Sequence, residues 1–275
     1  MEEKARSEGQ EKFRVVALLG VRNEGIYLER CIRHLISQEI DVCIIDNDST
    51  DESLEIGRSF LGRGVLAVHR YPYPGYYDWR GILRYKESLS YDIDADWFIH
   101  HDGDEIREAP GHYRDLKEAI RDVDRQGFNA INFNEFVFVP TDEREFFEGK
   151  DYVKEMKYYY FFQPVARHRV NAWKKIKPVD LAGSGGHSAD FENRRLFPQA
   201  FILRHYLALS RNHLIAKYVG RVFSPEELRD GWHKKRAGFT PDRIRIPRKE
   251  ELHLYREDRI WDITSPRAGH FFDKA

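Results

Sequence analysis

From Phe13 onward, short apolar and β-branched runs alternate with longer stretches in which apolar residues recur every three or four positions. The runs occupy residues 14–19, 42–45, 65–68 and 97–100. After the first, Leu28, Cys31, Ile32, Leu35 and Ile36 fall at i, i+3, i+4, i+7 and i+8, which sets one apolar stripe along a helix and predicts that it covers a sheet. After the second, Ser49, Thr50, Asp51 and Glu52 spell a capping box that predicts a helix running toward Phe60. Trp79, Ile82 and Leu83 predict a third helix, and Leu116, Ala119, Ile120 and Val123 a fourth. Strand followed by helix, repeated, predicts a mostly parallel sheet flanked by helices, an α/β fold.

Beyond Gln126 the rhythm turns β-rich and aromatic, with strand-like runs at 129–139, 157–163 and 200–205. Residues 140–142 and 148–151 read as turns, and residues 181–188 as a glycine-rich loop. Ser224-Pro225-Glu226-Glu227 opens a late helix with a capping Ser and a Pro in its first turn. A single domain is expected over residues 13–275: a first half (13–126), a β-rich second half (127–222) and a basic, helical C-terminal extension (223–275). Residues 1–12 are charged and lack the apolar stretch of a signal peptide, so a flexible N-terminus is expected there.

Composition narrows the class. The 275 residues carry 45 Lys plus Arg against 46 Asp plus Glu, so no global field draws the chain to nucleic acid, and none is expected as a partner. With 41% hydrophobic and 14% aromatic residues it can bury a core. The two cysteines, Cys31 and Cys43, lie in apolar segments and read as reduced core thiols of a cytoplasmic protein. No apolar stretch approaches the roughly 20 residues of a membrane span. The charge is nonetheless uneven, since residues 229–249 hold eight Lys or Arg against two Asp. That stretch is either a solvated face or a site of peripheral contact with an acidic lipid surface or an anionic acceptor.

Candidate chemistry gathers where the predicted strands stop. The run Trp97-Phe98-Ile99-His100-His101 ends at Asp102-Gly103-Asp104, two carboxylates with a glycine between them that lets the backbone turn sharply. In an open α/β sheet ligands collect outside the carboxyl ends of the strands. Two hard oxygen donors there suit Mg²⁺ or Mn²⁺, which complete their shell with water and phosphate oxygens; a solvated Asp-Gly-Asp turn uses the same residues. The second strand ends at Asp46-Asn47-Asp48, where a carboxylate and an amide match the hydrogen-bonding edge of a nucleobase, or simply favour a turn. The first ends at Arg22-Asn23-Glu24. Three polar ends of one sheet would line one groove.

The order strand-Arg-Asn-Glu, strand-Asp-Asn-Asp-Ser-Thr-Asp, strand-Asp-Gly-Asp, over residues 13–110, resembles the nucleotide-binding half of the family 2 glycosyltransferases of GT-A fold. Asn47 and Asp48 stand where that family usually has Asp and Gly, a departure at the segment that would meet the base. Ser184-Gly185-Gly186-His187 and Leu203-Arg204-His205-Tyr206 are also similar to segments of a bacterial branch. The resemblance implies transfer of a sugar, with inversion, from a nucleotide-diphosphate donor such as a UDP- or GDP-sugar to a carbohydrate or lipid-linked acceptor. It implies a Mn²⁺ or Mg²⁺ ion held by Asp104, with Asp102 on the metal or the donor ribose, and His205 as third ligand, His187 competing. Arg22, Asn23, Glu24, Asp46, Asn47, Arg80 and Arg84 would meet the donor. The base that deprotonates the acceptor would be Asp190, with His187, Asp180 and Glu192 as rivals. Tyr71 to Tyr77 would form an extended aromatic loop beside the groove, and Tyr158 to Phe162 would fill the core.

Two other classes use the same residues. His100, His101, Asp102 and Asp104 could serve a metal-dependent phosphoesterase or nuclease, although two-metal hydrolysis needs more converging ligands. A noncatalytic nucleotide- or glycan-binding module could keep the fold and lack the base. A dinucleotide oxidoreductase is disfavoured, because no Gly-x-Gly-x-x-Gly follows the first strand.

Overall fold

The computed structural model describes residues 13–256 and 260–273; the N-terminal segment 1–12, expected to be flexible, lies outside them. The elements run β1 (Val15–Val21), α1 (Gly25–Ser37), β2 (Asp41–Asp46), α2 (Ser53–Ser59), β3 (Val65–Arg70), α3 (Trp79–Asp92), β4 (Trp97–Asp102), β5 (Glu105–Glu108), α4 (Leu116–Arg125), β6 (Ala130–Phe138), α5 (Tyr152–Glu155), β7 (Tyr158–Phe162), β8 (Val170–Lys174), β9 (Phe201–Tyr206), α6 (Arg211–Tyr218), α7 (Pro225–Arg229) and β10 (His253–Leu254). The strand order is β10-β7-β6-β8-β4-β1-β2-β3, with β9 bridging β5 and β6. The four strands β4, β1, β2 and β3 are parallel, and β8 joins β4 antiparallel and opens the mixed second half. This is the helix-flanked α/β sheet with a β-rich continuation expected from the rhythm of the sequence.

Strand alternation puts two cores on the two faces of the parallel strands. Ala17 and Leu19 of β1 face Leu28, Cys31, Ile32 and Leu35 of α1 and Ile120 and Val123 of α4. Val16 and Leu18 face Leu83 of α3 together with Leu181 and Ala189 from the glycine-rich loop. The loop thereby seals the second face. The parallel register pairs Val21 with Asp46 and Gly20 with Asp102, so the carboxyl ends of β1, β2 and β4 lie side by side.

Three local expectations change. The capping box at 49–52 does not form: α2 starts at Ser53 with no side-chain cap from Glu52, and of this run only Asp51 serves α2, its Oδ1 accepting the Ser53 N–H at 3.0 Å. Instead Ser49 Oγ, Ser53 Oγ and Asp51 Oδ2 accept the backbone N–H groups of Asn23, Glu24 and Gly25 at 3.0, 2.9 and 3.0 Å. The hydroxyls and carboxylate satisfy the open donors at the start of α1, across the sheet rim. Gly103 keeps an ordinary φ; a side chain there would come within 3.3 Å of the Glu24 Cβ, so what glycine supplies is close approach rather than a left-handed turn. Among the described residues the C-terminal extension is helical only over α7 and three single 3-10 turns, at Pro241–Arg243, Lys249–Glu251 and Phe271–Asp273, and otherwise adds only the two-residue β10. Its Ser224 cap and following Pro are as expected, Ser224 accepting from the Glu227 N–H.

Leu28 is fully buried between α1 and β1. Leu28→Ala is expected to lower stability by about 2–5 kcal/mol, read as a shift of the urea midpoint at unchanged slope.

Candidate functional site

A cavity of about 1100 Å³ opens at the carboxyl ends of β1 and β4. The turn from β1 to α1 and the turn from β4 to β5 form its floor, α3 and the glycine-rich loop one wall, and α6 the other; residues 231–236 close over it.

At one end of the floor the Arg22 guanidinium lies flat over the Tyr73 ring, 3.5 Å from its centroid. It donates to the carbonyls of Asn47 and of Asp48, the latter at 2.7 Å. Asn23 and Asp48 both sit at positive φ, 54° and 50°, a conformation that Asn and Asp tolerate better than most side chains. Beneath them Asp46 and Asn47 are buried, and Asp46 Oδ1 and Asn47 Oδ1 have no hydrogen-bond partner. The other oxygen of Asp46 accepts from the Ser49 N–H at 3.2 Å, and the Asn47 amide donates to the Tyr71 carbonyl at 3.0 Å. Two buried acceptors are thus left open beside a planar Arg–Tyr wall, an arrangement that costs free energy unless a donor arrives.

At the centre runs a chain of alternating charge. Lys217 of α6 donates to Asp104 at 2.6 Å and stands 3.6 Å from Glu24. Asp104 meets His205 Nε2 at 3.1 Å; His205 Nδ1 meets Glu135 at 2.6 Å; and Glu135 accepts two bonds from Arg169, at 2.6 and 3.0 Å. Burial works against the charge on Asp104, but Lys217 and His205 outweigh it and hold its carboxyl well below the usual range. Burial likewise opposes ionised Glu135, and Arg169 and His205 override it. For His205 burial favours the neutral ring, yet Asp104 and Glu135, one at each ring nitrogen, hold its pKa well above the ordinary value, so it is an imidazolium donating at both ends. Glu24, largely buried, is pushed up to about 7 by desolvation, which Lys217 only partly offsets.

Asp102 lines the same cavity but stands outside this chain of charges. Its carboxylate lies 3.7 Å from the ammonium of Lys86, a lysine of α3 with no exposed surface that also meets His100 Nδ1 and the His101 carbonyl, both at 3.0 Å. Burial pulls the Lys86 ammonium down to about 8, with Asp102 and Glu105 opposing. Glu105, itself paired with buried Arg107 at 2.7 Å, accepts the Asp102 N–H at 3.2 Å and fixes the turn. His100 and His101 are buried and line no part of the cavity.

Of the residues singled out from the sequence, Arg22, Asn23, Glu24, Asp102, Asp104, His187 and His205 line the cavity, and Asp46 and Asn47 adjoin it under Arg22. The others do not reach it. Arg84 is exposed on the outer face of α3. Arg80 is spent on the C-terminal segment, donating to Glu226 and Asp230 at 3.3 and 2.6 Å over the Trp232 ring. Asp190 pairs with Arg194 and its backbone bridges that of Asp180, outside the cavity, so the geometry does not support it as the base. Asp180 accepts from the Gly183 N–H at 2.7 Å, and Glu192 is exposed. His187 accepts at Nδ1 from Arg169 at 3.3 Å; a guanidinium only donates, so the ring proton stays on Nε2 and His187 offers a donor there. Lys86, Glu135, Arg169 and Lys217 carry no sequence signal of their own. Lys86 and Lys217 sit on helices where a lysine ordinarily faces water, and Glu135 and Arg169 lie within the irregular β-rich half.

The divalent ion implied by the resemblance does not find its donors here. Among the described residues no group of three or more His, Cys, Asp or Glu side chains is arranged to hold a metal ion. Asp104 and His205 are together, but both ring nitrogens of His205 face carboxylates, the Lys86 ammonium lies 3.7 Å from Asp102, and the Lys217 ammonium stands against Asp104 Oδ2. The residues as arranged do not fit the ion. Among the described residues, too, no helix is long and apolar enough to cross a membrane.

Comparison with known proteins accords with the motif order. Residues 18–70, from β1 through β3 and including the first two strand ends, match the family model described as Glycosyl transferase family 2. No curated protein is matched by the chain. Among solved structures it is similar to S. aureus TarS residues 1–349, at 12% identity and a TM-score of 0.44, covering 70% of this chain and 60% of that one. The same protein in complex with UDP gives 10%, 0.43, 78% and 68%. A putative glucose-1-phosphate thymidylyltransferase from Bacillus anthracis, in complex with a sucrose, gives 15%, 0.31, 60% and 65%. At TM-scores this low the likenesses carry no functional weight; the matched segment and the chain's own residues do.

Glu135 is the hinge of the charge chain. Glu135→Gln would leave Arg169 and His205 buried without their counter-charge, and is expected to cost about 3 kcal/mol or more in chemical denaturation. Asp104 and Glu135 have depressed folded pKa values, so their contribution is present above the unfolded values of 3.8 and 4.5 and is lost as pH falls below them. The wild-type melting temperature should therefore drop on acidification through that range, and more steeply than that of Glu135→Gln. The His205 contribution has the opposite sense, present below its unfolded 6.5 and lost only as pH rises through its higher folded value.

Proposed function

We propose that the protein is a glycosyltransferase that moves a sugar, with inversion, from a nucleotide-diphosphate donor to a hydroxyl of a carbohydrate or lipid-linked acceptor. The observation that carries the reading is the pair of unpartnered buried acceptors, Asp46 Oδ1 and Asn47 Oδ1, at the rim of a cationic cavity, inside the segment that matches the glycosyltransferase family. A nucleobase offers the missing donors, and the Arg22–Tyr73 wall offers a plane beside it. The cavity is large enough for a nucleoside diphosphate and a sugar ring.

In the proposed reaction the bond between the sugar's anomeric carbon and the diphosphate oxygen breaks, and the diphosphate leaves with the electron pair. The acceptor oxygen forms its bond to the same carbon from the opposite face and gives up its proton. The developing negative charge lies in a cavity lined by seven Lys or Arg against three carboxylates, which favours it. Asp104 is kept ionised by its partners, whereas burial raises the proton affinity of Glu24 and Asp102; these two lining carboxylates are the groups that can take the acceptor's proton. His187, with its proton on Nε2, can donate to a sugar hydroxyl or phosphate oxygen. A cytoplasmic location belongs to the same reading, as does peripheral membrane contact through the exposed Arg243, Arg248 and Lys249.

Hydrolysis of phosphodiesters is less well supported, because His100 and His101 do not reach the cavity. Titration with UDP and GDP, followed by incubation with their sugar conjugates, tests the reading. One nucleotide diphosphate is expected to bind and its sugar conjugate to be turned over slowly to free sugar or transferred product. Asp46→Ala is expected to weaken nucleotide binding by about tenfold, leaving inorganic pyrophosphate binding unchanged. Binding without turnover of any sugar donor would favour a noncatalytic module, and phosphodiester cleavage would replace the reading outright.

A further inference from the structure

The disagreement between the cavity and a divalent ion has a specific form. The oxygen of Asp104 is occupied by an ammonium: Lys217 stands 2.6 Å from it and 3.6 Å from Glu24, its side chain about nine-tenths buried. Asp102, the second carboxylate of the pair, is balanced by another buried ammonium, Lys86. A dication brought between them would meet two buried ammonium groups and an Asp104 Oδ2 already shared by Lys217 and His205, so its binding would work against a pair in which both partners are desolvated. Beyond Lys217 the chain turns at Val219 and Gly220, and Arg221 enters the cavity wall; Arg236 enters from the covering segment. The cavity thus carries its own cations on two separate pieces of chain.

We propose that Lys217, with Arg221 and Arg236, takes the place of a divalent cation, so that the diphosphate of the donor is bound and its departure assisted by protein cations without metal. The inference rests on the glycosyltransferase reading for the identity of the ligand, but not for the cation itself. Asp104 and Glu24 serve in it as the counter-charges that hold the ammonium at the floor, and the diphosphate supplies the anion on its open side. The bonds made and broken are those of the sugar transfer; only the source of positive charge at the leaving group differs.

Three measurements test it on the whole protein. Mn²⁺ titrated into the metal-stripped protein and followed by electron paramagnetic resonance should find no stoichiometric site; a site that saturates at micromolar Mn²⁺ would overturn the proposal. Inorganic pyrophosphate and UDP, titrated calorimetrically in EDTA, should bind, with affinities changed by less than about threefold when Mg²⁺ or Mn²⁺ replaces the chelator; binding only with metal, or pyrophosphate failing to bind in EDTA, would overturn it. Lys217→Met should weaken metal-free pyrophosphate binding by about tenfold or more, and Lys217→Arg, which keeps the charge, should restore most of it. Because Lys217 is buried, each variant is first checked for a cooperative melt; Arg221→Ala, at a half-buried position of the cavity wall, should give a smaller loss in the same direction, and unchanged pyrophosphate affinity in both Lys217→Met and Arg221→Ala would sink the assignment. Pyrophosphate binding without any nucleotide binding would leave the cationic site standing and remove the glycosyltransferase reading instead.

Discussion

The site depends on one constraint, that five buried charges must neutralise one another in sequence. Lys217, Asp104, His205, Glu135 and Arg169 come from α6, the turn before β5, β9, β6 and the residue just ahead of β8. Each would be costly to bury alone, and each is compensated only when its neighbour is in place. The parallel half and the β-rich half of the fold are therefore tied together at the cavity floor by electrostatics as well as by the sheet. Arg169 extends the chain to His187, so the glycine-rich loop is held by the same network, and the Trp79 indole donating to the Gly185 carbonyl at 2.8 Å secures it from α3.

Where periodicity is the signal, the sequence is readable. The strand runs at 14–19, 42–45, 65–68 and 97–100 appear as strands with ends one or two residues further on, because burial on both faces demands the same continuous apolar runs that mark them. The convergence of Arg22, Asp46 and Asp102 at one rim follows from parallel register alone. The capping box at 49–52 misleads for a physical reason: the groups that satisfy a helix start need only be near its open N–H donors, and here the nearer start in space is that of α1, not α2. The same limit hides Lys86 and Lys217. A lysine on a helix reads as solvent-facing, and only the three-dimensional approach of Asp102 and Asp104 makes burial of its ammonium tolerable.

The net charge of -1 also conceals the character of the site. The cavity keeps an excess of Lys and Arg over carboxylates although the chain as a whole is nearly balanced. The basic run of 229–249 contributes to that excess: Lys234, Lys235 and Arg236 line the cavity instead of forming a solvated helix face. A composition-level balance therefore says nothing about an anion site once the tertiary fold has sorted charges by sign.

That sorting assigns a role to a part of the chain which otherwise resembles an appendage. The segment after α6 makes little regular structure, yet it is pinned to α3 at several points. Arg80 reaches Glu226 and Asp230, the Arg80 N–H donates to Glu227 at 2.6 Å, and Tyr77 bridges Phe223 through the backbone. His233 stacks on Phe223 and bonds Glu227, so the residues carrying the covering cations are held from beneath by the very helix that contains Lys86. A surface-like tail would not need buried Glu227 or a clamped arginine. The clamp from α3 therefore fixes where Lys234, Lys235 and Arg236 stand in the lining of the cavity whose floor Lys217 shares with Asp104. The cationic lining is in this way a property of the fold's closure as much as of any single residue on its floor.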